Sequence, residues 1–284
     1  MPTRQPPVWS LFDVVIFDCD STLSTLEGID ELARLNGREH DVAALTKRAM
    51  EGDVPLEAVY DHRLIAVNPT REQVRHIAQR YRQTLVPHAQ EVITALQALG
   101  VAVFIVSGGL IEAVRDFGVW LGVPKDHIFA VNMAYDQLAG AWWRYWEQPR
   151  GHNPGATYLD VEPSPLTGSH GKNRVIARLR EEYTGRAMMI GDGLSDLEAS
   201  ADVDLFVGFG GVVYRERISQ AAPVYIHTLS LAPILPLALG PVGHVPRFAA
   251  LWREGVRAIR AGEVTFRDPA LRAAFLSTLR RQGF

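Results

Sequence analysis

Residues 11–23 read LFDVVIFDCDSTL, an apolar run that stops in two carboxylates, Asp18 and Asp20, one residue apart. A short run this rich in Val, Ile and Phe reads as a strand buried inside a sheet. By the two-residue period of a strand, Asp18 and Asp20 lie on one side of the pleat and Cys19 on the other. Close carboxylates repel, and the pair is costly unless a cation or a shared proton relieves it. A hard divalent cation is the simplest relief, because Mg²⁺ prefers oxygen ligands and often shares a substrate phosphate. A solvated acidic loop after the strand is the plainer account, and this stretch alone leaves both open.

Three further runs read as buried parallel strands: VAVFIV (101–106), AMMI (187–190) and LFVGF (205–209). Strands that alternate with helical patterns predict an α/β fold, a Rossmann-like parallel sheet flanked by helices. Ligands of such sheets bind beyond the carboxyl ends of the strands, so DCDST, SGG and GDGLSD become the turns of interest. In MMIGDGLSDLEASAD a second strand ends in Asp192, with Asp196 on the first turn of the next helix. Two strand ends thus offer carboxylates to one crevice. A turn role for Asp192 and a helix-dipole role for Asp196 would explain each separately but not their recurrence.

Ser107, Gly108 and Gly109 stand between a strand and a helix, where backbone N–H groups and a hydroxyl can hold an anion. Lys172, at the start of the helix in GSHGKNRVIARL, can add a positive charge. Either feature alone is commonplace; with the carboxylates they make a phosphoryl site. Other motifs fail. LTGSHGKN has Leu166 and Asn173 where a P-loop needs Gly and Ser or Thr, and GDGLSD lacks the third glycine of a dinucleotide fingerprint. The nine histidines form no HExxH pair. Cys19 is a poor nucleophile, since flanking carboxylates disfavour its thiolate.

Between the first two strands, residues 24–86 carry helical patterns and no strand-like run, far more than a crossover of about a dozen residues requires. We expect an inserted helical cap there, with the catalytic core in 1–23 and 87–240. Residues 132–170 hold Trp142, Trp143, Tyr145 and Trp146 before a Pro/Gly-rich loop, and read as a β-excursion or flap. Residues 241–284 read as a helical extension with eight arginines against Glu254, Glu263 and Asp268, docked on the core or at a homodimer interface.

With Lys+Arg 29, Asp+Glu 32 and a net charge of −3, nothing argues for a nucleic-acid partner. The single cysteine cannot form an intrachain disulfide, and no signal-like or membrane-spanning run is evident, so a cytoplasmic location is expected.

DCDST, SGG, Lys172 and GDGLSD, in that order, resemble the four motifs of the haloacid dehalogenase superfamily. EGIDELARLNG, TKRAMEGDVPLEAV and HRLIAV further resemble the phosphoserine phosphatase family, over roughly residues 12–237. The resemblance implies Asp18 as nucleophile, Asp20 as general acid and base, and Mg²⁺ held by Asp18, the Asp20 backbone carbonyl and Asp192, with Asp196 behind them. It implies phosphate binding by Ser107, Gly108, Gly109, Lys172 and Ser195. In the cap it implies Glu27 on the substrate's amino group, Arg63 on its carboxylate and Met50 along the pocket. The expected partner is a small phosphomonoester, O-phospho-L-serine before others. Two alternatives stand beside it: a related phosphatase or phosphotransferase acting on another small phosphate, and a non-catalytic phospho-ligand binding protein. The aromatic segment around Trp142 could alter substrate choice if it covered the site.

Overall fold

The computed structural model describes residues 9–50, 56–139, 142–147, 153, 155–168 and 170–280. Among them, seven strands form the central sheet: β1 (Val14–Phe17), β2 (Ala102–Leu110), β3 (Ile128–Val131), β6 (Ala187–Gly191), β7 (Leu205–Phe209), β8 (Val224–Ile226) and β9 (Val264–Phe266). Two more, β4 (Met133–Asp136) and β5 (Thr157–Val161), form a separate antiparallel hairpin. The main sheet runs β3-β2-β1-β6-β7-β8-β9 and is parallel except for the β8–β9 pair.

Phe17 of β1 lies opposite Ile105 of β2 and Ile190 of β6. This register puts Asp18, Ser107 and Asp192, each one or two residues further on, at the same carboxyl edge of three adjacent strands. Alternate residues face two cores. Val15, Phe17, Val103 and Ile105 share one with α5 (Ala89–Ala98), α6 (Ile111–Trp120) and α10 (Ile234–Leu239). Val14, Ile16, Phe104 and Met189 share the other with α7 (Gly171–Glu182) and α9 (Glu216–Ala221). A sheet buried on both faces explains why its strands read as unbroken apolar runs. The short α8 (Leu194–Glu198) follows β6.

Among the described residues between 28 and 83 there are four helices: α1 (Gly28–Leu35), α2 (Glu39–Met50), α3 (Leu56–Val67) and α4 (Arg71–Gln83). The chain leaves and re-enters the core at one point. There Thr25 N–H donates to Thr84 O at 2.8 Å and Val86 N–H donates to Leu23 O at 2.9 Å. Thr70 starts α4 with a reciprocal cap: its hydroxyl accepts from Gln73 N–H at 3.2 Å, and its own N–H donates to the Gln73 side chain at 2.8 Å. Arg71 and Arg75 on α4 pair with Glu112 on α6, and Arg82 pairs with Asp116.

Two features differ from the sequence expectation, and between them the β-excursion expected over 132–170 is present as the β4–β5 hairpin. Ser107, Gly108 and Gly109 are not a turn but the last residues of β2, where pairing with β3 shifts register between Val106 and Leu110. The aromatic stretch stands at the far end of the β4–β5 hairpin, with Trp142–Glu147 in a short 3₁₀ turn. The C-terminal segment holds α11 (Ala249–Ala261) and α12 (Pro269–Arg280) as expected, but β9 between them extends the main sheet. Trp252, Ile259, Phe275 and Leu279 are buried, so this segment docks on the core. No described helix is long and apolar enough to cross a membrane.

Candidate active site

Asp18 ends β1, its N–H donating to Ile190 O at 2.9 Å, which fixes the backbone against β6. Lys172, on the first turn of α7, reaches Asp18 at 2.8 Å and Asp196 at 2.6 Å, and all three are buried. Burial alone would lower the lysine pKa, but the two carboxylates outweigh it and hold the ammonium above its ordinary value. Asp196 has both oxygens engaged, one by Lys172 and the other by Gly193 N–H at 3.0 Å. Asp192 receives Arg215 at 3.0 Å. Burial, then the charge of Asp18, pushes Asp192 up to about 6 against the pull of Arg215.

Asp20 is turned toward the helices. One oxygen accepts from Tyr81 Oη at 2.7 Å and from Gly28 N–H at 2.9 Å. Gly28 has to be glycine, because a Cβ there would overlap the Tyr81 hydroxyl. A Cβ on Gly109 would likewise stand 3.0 Å from the other Asp20 oxygen. Burial first, then the charge of Glu27, pushes Asp20 up to about 8, so its neutral, proton-donating form is favoured near neutral pH. Glu27 lies just before α1 and accepts from Ser21 Oγ at 2.7 Å; burial raises its pKa and the Ser21 hydrogen bond opposes that rise. Ser21 itself holds a left-handed backbone, φ 52°, to make this turn. Cys19 is buried with a raised pKa, from burial and then from Asp20 and Asp18, which keeps it an unreactive thiol.

One cavity of about 240 Å³ collects Asp18, Asp20, Glu27, Arg63 and Lys172. Ser107, Gly108, Gly109, Asp192, Ser195 and Asp196 line it too. Every sequence-predicted site residue is therefore in one place, apart from Met50, whose side chain lies outside the described residues. Arg63 Nε is buried without a hydrogen-bond partner among the described residues. A carboxylate oxygen from each of Asp18, Asp192 and Asp196 falls within 4.8 Å of the others, a hard oxygen cluster that fits a divalent cation. Lys172 and Arg215 offset part of its charge without being able to ligate. None of the described residues 132–170 lines the cavity, so the Trp142 segment does not form its wall.

Three polar side chains of the wall escaped sequence reasoning: Tyr60, Tyr81 and Arg215. Tyr60 on α3 and Tyr81 on α4 reach the site only through tertiary packing. Arg215 follows β7, so the strand-end rule that singled out Asp18 and Asp192 points to it as well.

A family model for haloacid dehalogenase-like hydrolases matches residues 12–134. The phosphoserine phosphatase of Homo sapiens is 37% identical over 215 residues, spanning 75% of this chain and 88% of that protein. The chain belongs to the phosphoserine phosphatase family. The chloroplastic phosphoserine phosphatase of Arabidopsis thaliana is 33% identical, over 76% of this chain and 68% of its own length. A solved phosphoserine phosphatase, described as a phospho-aspartyl intermediate analogue, superposes with a TM-score of 0.63 at 26% identity, covering 80% of this chain and 98% of that one. As a family member the protein is a phosphoric monoester hydrolase.

Proposed function

We propose that the protein hydrolyses O-phospho-L-serine to L-serine and inorganic phosphate with Mg²⁺ as cofactor. The observation that carries this reading is the meeting, in one small cavity, of the Asp18–Lys172–Asp192–Asp196 cluster with Glu27, just before α1, and Arg63 of α3. A zwitterionic phosphate ester needs a site for each of its three charged groups, and the cavity holds one of each kind.

Asp18 is the nucleophile: its carboxylate oxygen bonds to phosphorus as the bond from phosphorus to the seryl oxygen breaks, leaving an aspartyl phosphate. Asp20, kept neutral by burial and by Glu27, gives its proton to the departing seryl oxygen. It then takes a proton from the water that attacks the aspartyl phosphate, which restores Asp18 and releases phosphate. Lys172, the Ser107 hydroxyl and the Gly108 N–H hold the phosphoryl oxygens, and the Gly109 N–H donates to Ser107 Oγ at 3.0 Å and orients it. Asp18, Asp192 and the Asp20 carbonyl would hold Mg²⁺, with Asp196 orienting Lys172 behind them; the cation, when bound, neutralises phosphate charge. Glu27 takes the ammonium and Arg63 the carboxylate of the serine moiety.

Phosphate release from L-phosphoserine, phosphothreonine, phosphoethanolamine and p-nitrophenyl phosphate, with and without EDTA, tests the reading. The expected result is a kcat/KM preference for phosphoserine that EDTA abolishes. Metal-dependent activity on the aryl phosphate with none on phosphoserine would overturn the substrate assignment.

A further inference from the structure

The hairpin β4–β5 takes no part in the cavity wall, yet it is tied to the cap at the corner between α3 and α4. Tyr158 N–H donates to Pro69 O at 2.9 Å, and Arg71 N–H donates to Ala156 O at 2.9 Å, so Thr70 and Thr157 pair like residues of adjacent strands. The Arg71 guanidinium lies 5.2 Å from the centre of the Tyr135 ring while pairing with Glu112. The Tyr158 hydroxyl donates to Asp61 of α3. The hairpin is in turn rooted in the core. β4 follows β3 after a single residue, and Glu162 N–H donates to Asn132 O at 3.1 Å across its base.

Asp61 is flanked on α3 by Tyr60 and Arg63, which both line the cavity together with Leu64. Residues 60, 63 and 64 share one helical face, and Asp61 is offset from it by about a third of a turn. A pull on Asp61 therefore acts on rotation and shift of the face that carries Arg63. Arg63 Nε has no hydrogen-bond partner among the described residues, and α3 is the element that carries the guanidinium to the cavity. Tyr158 is buried, and burial, then its hydrogen bond to Asp61 and the Asp61 charge, raises its pKa, so it remains a donor at ordinary pH.

We propose that the β4–β5 hairpin is a positioning element for substrate recognition, in which Tyr158, acting through Asp61, sets where α3 presents Arg63. The proposal rests on the reading of Arg63 as the carboxylate site, and the experiment separates the two. Steady-state kinetics of Tyr158→Phe, Asp61→Ala, Asp61→Asn, Arg63→Ala and the double variant Arg63→Ala/Tyr158→Phe are compared on phosphoserine and p-nitrophenyl phosphate, in protein verified as folded by circular dichroism. Tyr158→Phe and Asp61→Ala raise KM for phosphoserine by about three- to tenfold, the range of one hydrogen bond's net contribution, and leave kcat on both substrates unchanged. Asp61→Asn, which still accepts from Tyr158, keeps KM near that of the parent. Adding Tyr158→Phe to Arg63→Ala has no further effect on KM.

An Arg63→Ala protein that loses both substrates equally overturns the carboxylate-site reading. A selective loss in Arg63→Ala with an unchanged KM in Tyr158→Phe overturns the hairpin proposal alone. Equal losses on both substrates in Tyr158→Phe make the contact merely structural, and overturn it too.

Discussion

Asp18 and Ser21 illustrate two kinds of dependence on single atoms. Asp18 is held by an ion pair with Lys172 on one side and the backbone of β6 on the other, so Asp18→Asn preserves shape and removes the carboxylate oxygen that the proposed mechanism uses as nucleophile. We expect an unchanged fold by circular dichroism and a fall in kcat of at least about a thousandfold; measurable turnover near the parent rate would remove Asp18 from that role. Ser21 gives one hydrogen bond to Glu27 from a backbone at φ 52°, a conformation that glycine adopts freely. Ser21→Gly therefore deletes the hydroxyl without straining the turn. Its kcat/KM for phosphoserine should drop by about three- to tenfold while p-nitrophenyl phosphate hydrolysis is spared. A parallel loss on both substrates would show that the turn, and not Glu27, depends on that hydroxyl.

Among the elements, α1 and α4 are joined by a buried carboxylate. Glu31 on α1 accepts from Arg34 at 2.8 and 2.9 Å and from Arg80 of α4 at 2.9 Å. The Arg34 hydrogen bonds lead and Arg80 adds to them, overcoming burial to lower Glu31 from 4.5 to about 2. A folded-state pKa below the unfolded value gives stability that is complete above pH 4.5 and is lost as pH falls toward about 2. Glu31→Gln should cost about 1–3 kcal/mol at pH 7 and flatten the acid limb of the stability curve between those two values, as urea unfolding at stepped pH would report. An equal acid dependence in parent and variant would assign the sensitivity to other carboxylates. The helical repeats of α1 to α4 were readable from sequence because their pattern runs for eight residues or more. Strands β8 and β9, of three residues each, are too short to display a period, and β9 was missed inside a segment that reads as helical.

Across the whole molecule, the C-terminal segment closes the core that the sheet opens. Phe275 of α12 is buried with its ring 5.0 Å from Trp9 and 5.8 Å from Phe266 of β9, so the two ends of the described chain meet in one aromatic cluster. Phe275→Ala should cost about 3–5 kcal/mol and lower Tm by roughly 6–15 °C. Residual kcat at 25 °C should match the parent, since none of these rings lines the cavity. A Tm within about 1 °C of the parent would mean that the segment is held by something other than this cluster.

Asp18, Asp20 and Asp192 were legible because an apolar run stops there in a polar turn, Ser107 to Gly109 because a similar run ends in small residues, and Lys172 because it opens a helical pattern after GSHG. Parallel strands in register then bring such turns to one edge without further instruction. Arg215 on Asp192, Tyr81 on Asp20 and Tyr158 on Asp61 join residues 23, 61 and 97 positions apart. No local pattern encodes such distances. Those contacts exist only because the cap helices, the hairpin and the sheet pack against one another, and packing is where the charge balance and the placement of Glu27 and Arg63 are set.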